Sequence, residues 1–122
     1  MHPTHLVSLF ALLLIAQGLR VRRDRRLHAR WMLSAFAVDM ALVLYIELSR
    51  GAVEQALDPR ISGILQIHIA FSTLAAIGWF CLVILGVLML RGRRHLRPWH
   101  LKIAALFLLA RLGNFITSFM IQ

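Results

Sequence analysis

The chain has 122 residues, of which 60% are hydrophobic, with a mean hydropathy of +0.75 and a formal net charge of +9. A soluble domain of this size is only about half apolar, so the solvent implied here is lipid. The positive charge excludes nucleic-acid binding by its placement, because it sits in short segments flanking apolar runs and not on an aromatic-rich soluble face.

Four apolar runs are long enough to cross a hydrocarbon core of about 30 Å, and lipid leaves the backbone no option but helix. The first covers about 3–19 and the second 31–48. The third, 61–90, is long enough that it must tilt or protrude. The fourth covers 99–121. The expected fold is all-α: one transmembrane domain over residues 1–122, built as an up-down four-helix bundle. Six arginines, Arg20, Arg22, Arg23, Arg25, Arg26 and Arg30, separate the first two runs, and four, Arg91, Arg93, Arg94 and Arg97, separate the last two. The middle connection holds Arg50 and Arg60 against Glu54 and Asp58. The arginine-rich connections are therefore expected on the cytoplasmic side of a bacterial inner membrane, with both termini outside. The first run is not a cleavable signal peptide, since its basic residues follow the apolar stretch. Cys81, the one cysteine, excludes an intrachain disulfide.

Ionisable residues within the runs narrow the function. His28 and Asp39 are eleven positions apart in the second run, as are His100 and Arg111 in the fourth. Eleven residues are about three helical turns, so each pair shares a helix face, roughly 16 Å apart along the axis. Both helices run in the same direction, which puts the two histidines at one level near the basic end and Asp39 and Arg111 at another near the midplane. The stripes His28, Met32, Ala35, Asp39, Val43 and His100, Ala104, Phe107, Arg111, Asn114, Ser118 follow helical periodicity. Two readings stand side by side. His28 and His100 are axial ligands of a haem b held between diagonal helices, or they are interfacial residues with no cofactor. Asp39 and Arg111 are expected to form a structural ion pair, since pairing offsets the cost of two charges in lipid. Near the other surface, His68 comes to a depth similar to that of Glu47, Tyr45, Thr117, Ser118, His2 and His5. A metal such as copper held by His68 and Glu47 is one reading of this cluster, and hydrogen-bonded packing is the other. No nucleophile elbow, HExxH or phosphate loop appears, so no enzymatic activity is expected.

"RRLHARWMLSAFAV", "ILQIHIAFSTLA" and "HLKIAALFLL…ITSFM" together resemble the YozB/CtaM-like family of small bacterial membrane proteins. The resemblance covers about residues 22–120 and rests on the "LH" before the second run, the "H-I" in the third and the "H-x-K-I-A" opening the fourth. It implies roles for His28, His68 and His100 in a protein acting in maturation of a haem–copper oxidase. The chain departs from the family in "LYIELSR", where a histidine commonly follows the tyrosine, and in "RLGNFITS", where the family has an aromatic motif. The resulting expectation is a haem- or metal-binding membrane protein in assembly of, or electron transfer beside, a respiratory complex. The alternative is a non-catalytic transmembrane subunit of a larger complex, with no cofactor of its own.

Overall fold

The computed structural model describes residues 3–50, 54 and 63–120. Four long helices account for most of them: α1 (Pro3–Arg20), α2 (Arg25–Arg50), α3 (Gly63–Leu90) and α4 (Arg97–Ser118), with a single 3₁₀ turn at Arg94–Leu96. No strand occurs among the described residues. All four helices are long and apolar enough to cross a membrane. Most of the expected outer connection (51–53 and 55–60), the first two residues of the third run (61–62), His2 and Ile121 lie outside the described residues.

The expected spans correspond to helices, but α2 begins six residues before Trp31, because Asp24 inside the arginine run is an N-cap. Its Oδ1 accepts the Leu27 N–H at 3.2 Å, and its carbonyl accepts the His28 N–H at 2.8 Å. A carboxylate there satisfies an otherwise orphaned donor at the positive end of the helix dipole. Arg25, Arg26, His28 and Arg30 are thereby helical residues. Pro98 sits in the first turn of α4, where its missing N–H costs nothing, so this helix also starts ahead of the expected Trp99. Between α3 and α4, Gly92 adopts φ +105°. Its N–H donates to the Met89 carbonyl at 3.0 Å and the Arg93 N–H donates to the Leu88 carbonyl at 3.1 Å. This paired arrangement ends α3 with its last carbonyls satisfied, and it requires a residue tolerant of the left-handed region.

The contacts divide the chain into two compact units, Met1–Ser62 and Gly63–Gln122. Each is an antiparallel helical hairpin, α1 against α2 in one and α3 against α4 in the other. In the first, Gly18 lets α2 approach closely: a Cβ there would meet Met32 Cε at 3.0 Å and Trp31 Cβ at 3.2 Å. Toward the other end of that hairpin, Pro3, Thr4 and Val7 of α1 share a cavity of about 270 Å³ with Ala41, Leu42 and Tyr45 of α2.

The second hairpin interlocks along its length. Gly78 accepts Phe107, whose Cβ would stand 3.1 Å from a Cβ added at the glycine. Gly113 accepts the Phe71 ring in the same way, and Trp79 packs on Phe107 with ring centroids 4.5 Å apart. Such small-residue notches let the backbones of the two helices approach closely. Many apolar side chains elsewhere are exposed, Leu74, Ile84, Leu106 and Leu109 among them.

Candidate functional site

The polar side chains fall into distinct settings on the two hairpins. At the basic end of the first, α1 stops at Arg20 and leaves its last carbonyls without helical partners. Arg22 Nη1 donates to the Leu19 carbonyl at 3.1 Å. His28 Nδ1 lies 2.7 Å from the Gly18 carbonyl. A carbonyl only accepts, so Nδ1 carries the proton and the neutral imidazole presents its lone pair at Nε2. His28 therefore has a structural task, closing the end of α1 from the first turn of α2. That same bond selects the tautomer in which Nε2 can ligate a metal or haem iron.

The expected stripe on α2 holds for four of its five members. His28 and Met32 meet Gly18, Ala35 is wholly buried, and Asp39 is 6% exposed, but Val43 is exposed. On α1, buried Thr4, Ser8, Ala11, Ile15 and Gly18 recur every three or four residues, with His5 beside them. Their periodicity is plain in the sequence, although a small-polar stripe in an apolar helix gives a weak signal.

In the second hairpin, His100 stands next to a glycine of α3: its Cε1 is 3.9 Å from the position of a Cβ on Gly86. The stripe His100, Phe107, Asn114 thus faces α3, with Phe107 in the Gly78 notch and Asn114 donating from Nδ2 to Ser72 Oγ. Arg111 is 4% exposed.

Near the far end of this hairpin, a circuit of polar groups joins the helices. His68 Nδ1 lies 2.8 Å from Thr117 Oγ1. The Thr117 hydroxyl has one hydrogen, and it is directed to the Gly113 carbonyl at 2.7 Å, with the Asn114 carbonyl at 3.1 Å. The hydroxyl therefore receives the Nδ1–H of His68, and Nε2 is again the lone-pair nitrogen. Ser72 Oγ donates to the His68 carbonyl at 2.9 Å while accepting from Asn114. The sequence placed His68 and Thr117 at one depth and Asn114 on the stripe of the fourth run, but missed Ser72 and its bond with Asn114. Ser72 stands one turn after His68, and Asn114 stands just under one turn before Thr117.

His28, Asp39 and Glu47 belong to the first hairpin, and His68, His100 and Arg111 to the second. No group of three or more His, Cys, Asp or Glu able to hold a metal ion occurs among the described residues. No histidine lines the cavity in the first hairpin. Among the described residues, those that could ligate a haem or metal are single imidazoles, and in His28 and His68 the lone-pair nitrogen is defined. No protein-family model, curated protein or solved structure matches this chain.

Proposed function

We propose that the chain is a small multi-pass protein of a bacterial inner membrane that ligates a haem b or a metal ion through histidine Nε2 atoms. Its candidate ligands are His28 and His100 for a haem, and His68 and Glu47 for a metal such as copper, each offered by its own hairpin. Its role would be assembly of, or electron transfer beside, a respiratory membrane complex, as the YozB/CtaM-like resemblance implies. The observation that carries the reading is the commitment of Nδ1 in His28 and in His68 to oxygen acceptors, at 2.7 and 2.8 Å. Metal-ligating histidines commonly donate their other ring N–H to an oxygen acceptor in this way, which fixes ring and tautomer. A bound haem would supply one-electron chemistry, and the chain's part is to orient the imidazoles and exclude water.

The test is a reduced-minus-oxidised visible spectrum of protein purified in mild detergent. A sharp α-band with a red-shifted Soret peak is expected, and it should vanish in both His28→Asn and His100→Asn. Asparagine keeps a donor near the Nδ1 position, so the Gly18 contact survives while the ligand nitrogen is lost. Colourless protein with no metal by elemental analysis defeats the reading. The second reading would then stand: a non-catalytic transmembrane subunit, favoured by the helix-closing bond from His28 to Gly18.

We propose further that the arginine-bearing ends of both hairpins face the cytoplasm, so that both termini are outside. A C-terminal alkaline phosphatase fusion, active only when exported, should be active. An inactive phosphatase beside a fluorescent C-terminal GFP would reverse the orientation.

A further inference from the structure

Six guanidinium groups crowd the end of the first hairpin. Arg20 closes α1, Arg22 and Arg23 lie in the turn, and Arg25, Arg26 and Arg30 open α2. All six are exposed. The single carboxylate among them, Asp24, is occupied as the N-cap of α2 through the Leu27 N–H. Among the described residues none of the six forms an ion pair within the chain. Like charges packed this closely repel, and anions from outside relieve the repulsion beyond what solvent screening does. Arg25, Arg26 and Arg30 also stand in the first turns of α2, where the helix dipole disfavours cations, whereas Arg20 and Arg22 lie at the end of α1, where it favours them.

Their placement indicates which anion. Only the residues between Arg20 and Arg25 separate two helices that are each long and apolar enough to cross a membrane. The charges thus cannot project far beyond the span ends. From Arg25 to Arg30 the helix rises only about 8 Å, comparable with the headgroup layer on one side of a bilayer, which is about 5–8 Å. Trp31 follows at once, and tryptophan favours that same interfacial depth. Arg26 and Arg30 are one turn apart on one side of α2, neighbours able to share a phosphate or to take one each.

We infer that the α1–α2 turn is a binding surface for the phosphodiester headgroups of anionic phospholipids. Several lipids would be held by Arg23, Arg26 and Arg30, with Arg22 partly committed to the Leu19 carbonyl. The arrangement suits lipid better than a soluble acidic protein, because the charge lies within the headgroup layer and not on an arm reaching past it. This inference does not depend on the histidines and survives if the chain proves colourless.

The test reconstitutes the full chain in nanodiscs of phosphatidylcholine mixed equally with phosphatidylglycerol, extracts it into mild detergent, and counts retained lipids by native mass spectrometry. Wild type is expected to retain phosphatidylglycerol at least fivefold over phosphatidylcholine, with the preference falling as salt is raised during extraction. Arg23→Gln/Arg26→Gln/Arg30→Gln should lower that preference at least twofold, leaving what Arg91, Arg93, Arg94 and Arg97 contribute at the other basic turn. Equal retention by wild type overturns the inference without any variant, and would point to a soluble acidic partner. An unchanged preference in a folded triple variant overturns it as well. Should the triple variant not fold, the salt dependence of wild type decides, and a salt-insensitive preference counts against the inference.

Discussion

Gly78→Leu is expected to break the packing of the second hairpin, lowering its stability by about 1–3 kcal/mol, the usual cost of overpacking. A Cβ at this position would meet Phe107 Cβ at 3.1 Å and Cδ1 at 3.2 Å. The nearer atom is attached directly to the α4 backbone, so no rotation of the ring moves it away. Phe107 also packs against Trp79, and only 3% of it is exposed. The leucine must therefore push the helices apart, and the damage spreads to every notch along the hairpin. Gly113 makes an instructive contrast. A Cβ there meets only the far edge of the Phe71 ring, at 2.8 Å, and a ring edge can swing aside. Gly86→Ala is the control, because its nearest neighbour, His100 Cε1, is at an ordinary 3.9 Å. Thermal unfolding followed by circular dichroism in one detergent should rank wild type and Gly86→Ala together, with Gly78→Leu well below. Equal melting of all three would show that the notch does not carry the packing.

The four helices were legible because the apolar runs are long and charge falls in the gaps between them, a coarse signal. Their starts were less legible, and Asp24 shows why. Amid six arginines it reads as one more surface charge, whereas its geometry makes it the cap that brings Arg25–Arg30 into the helix. Periodicity identified the faces of α2 and α4 but not their partners. The stripe through His100, Phe107 and Asn114 is real, yet what it meets is Gly86, Gly78 and Ser72 on the adjoining α3. Glycine and serine are silent in a hydropathy pattern, so a notch or a hydroxyl partner is seen only once the register of two helices is fixed. The same holds for Gly18 and His28. The glycine supplies a close approach and the histidine a cap, and neither function is encoded by residue type alone. The circuit at His68 was half visible. Depth could be counted along each helix, but the direction of each hydrogen bond required the competing carbonyls of Gly113 and Asn114.

That direction makes Thr117 the most informative single position. Thr117→Val keeps the volume and the branched Cβ but removes the hydroxyl that receives Nδ1–H of His68. Hydrogen bonds between transmembrane helices contribute modestly, about 0.6 kcal/mol on average and about 1.7 at most, so the hairpin should survive. The tautomer equilibrium is far more sensitive. A loss of about 1 kcal/mol changes the ratio of the two neutral forms roughly fivefold. In ¹⁵N-histidine NMR of the folded protein, His68 of wild type is expected in the Nδ1-protonated form. Thr117→Val should show a substantial Nε2-protonated fraction, and Thr117→Ser should restore the wild-type signal. If the valine variant keeps the wild-type tautomer, some other contact orients the ring and the hydroxyl has no positioning role. The consequence for ligand binding follows from the same proton. Only a deprotonated Nε2 can bind a metal, and loss of an outer partner of this kind weakens metal affinity about 10–100-fold. Under the copper reading of His68, Thr117→Val should thus weaken copper binding and Thr117→Ser should not, with both variants melting close to wild type. A parallel loss of affinity and stability would instead make Thr117 a packing residue. An unchanged affinity, with the tautomer shifted, would remove His68 from the ligand set.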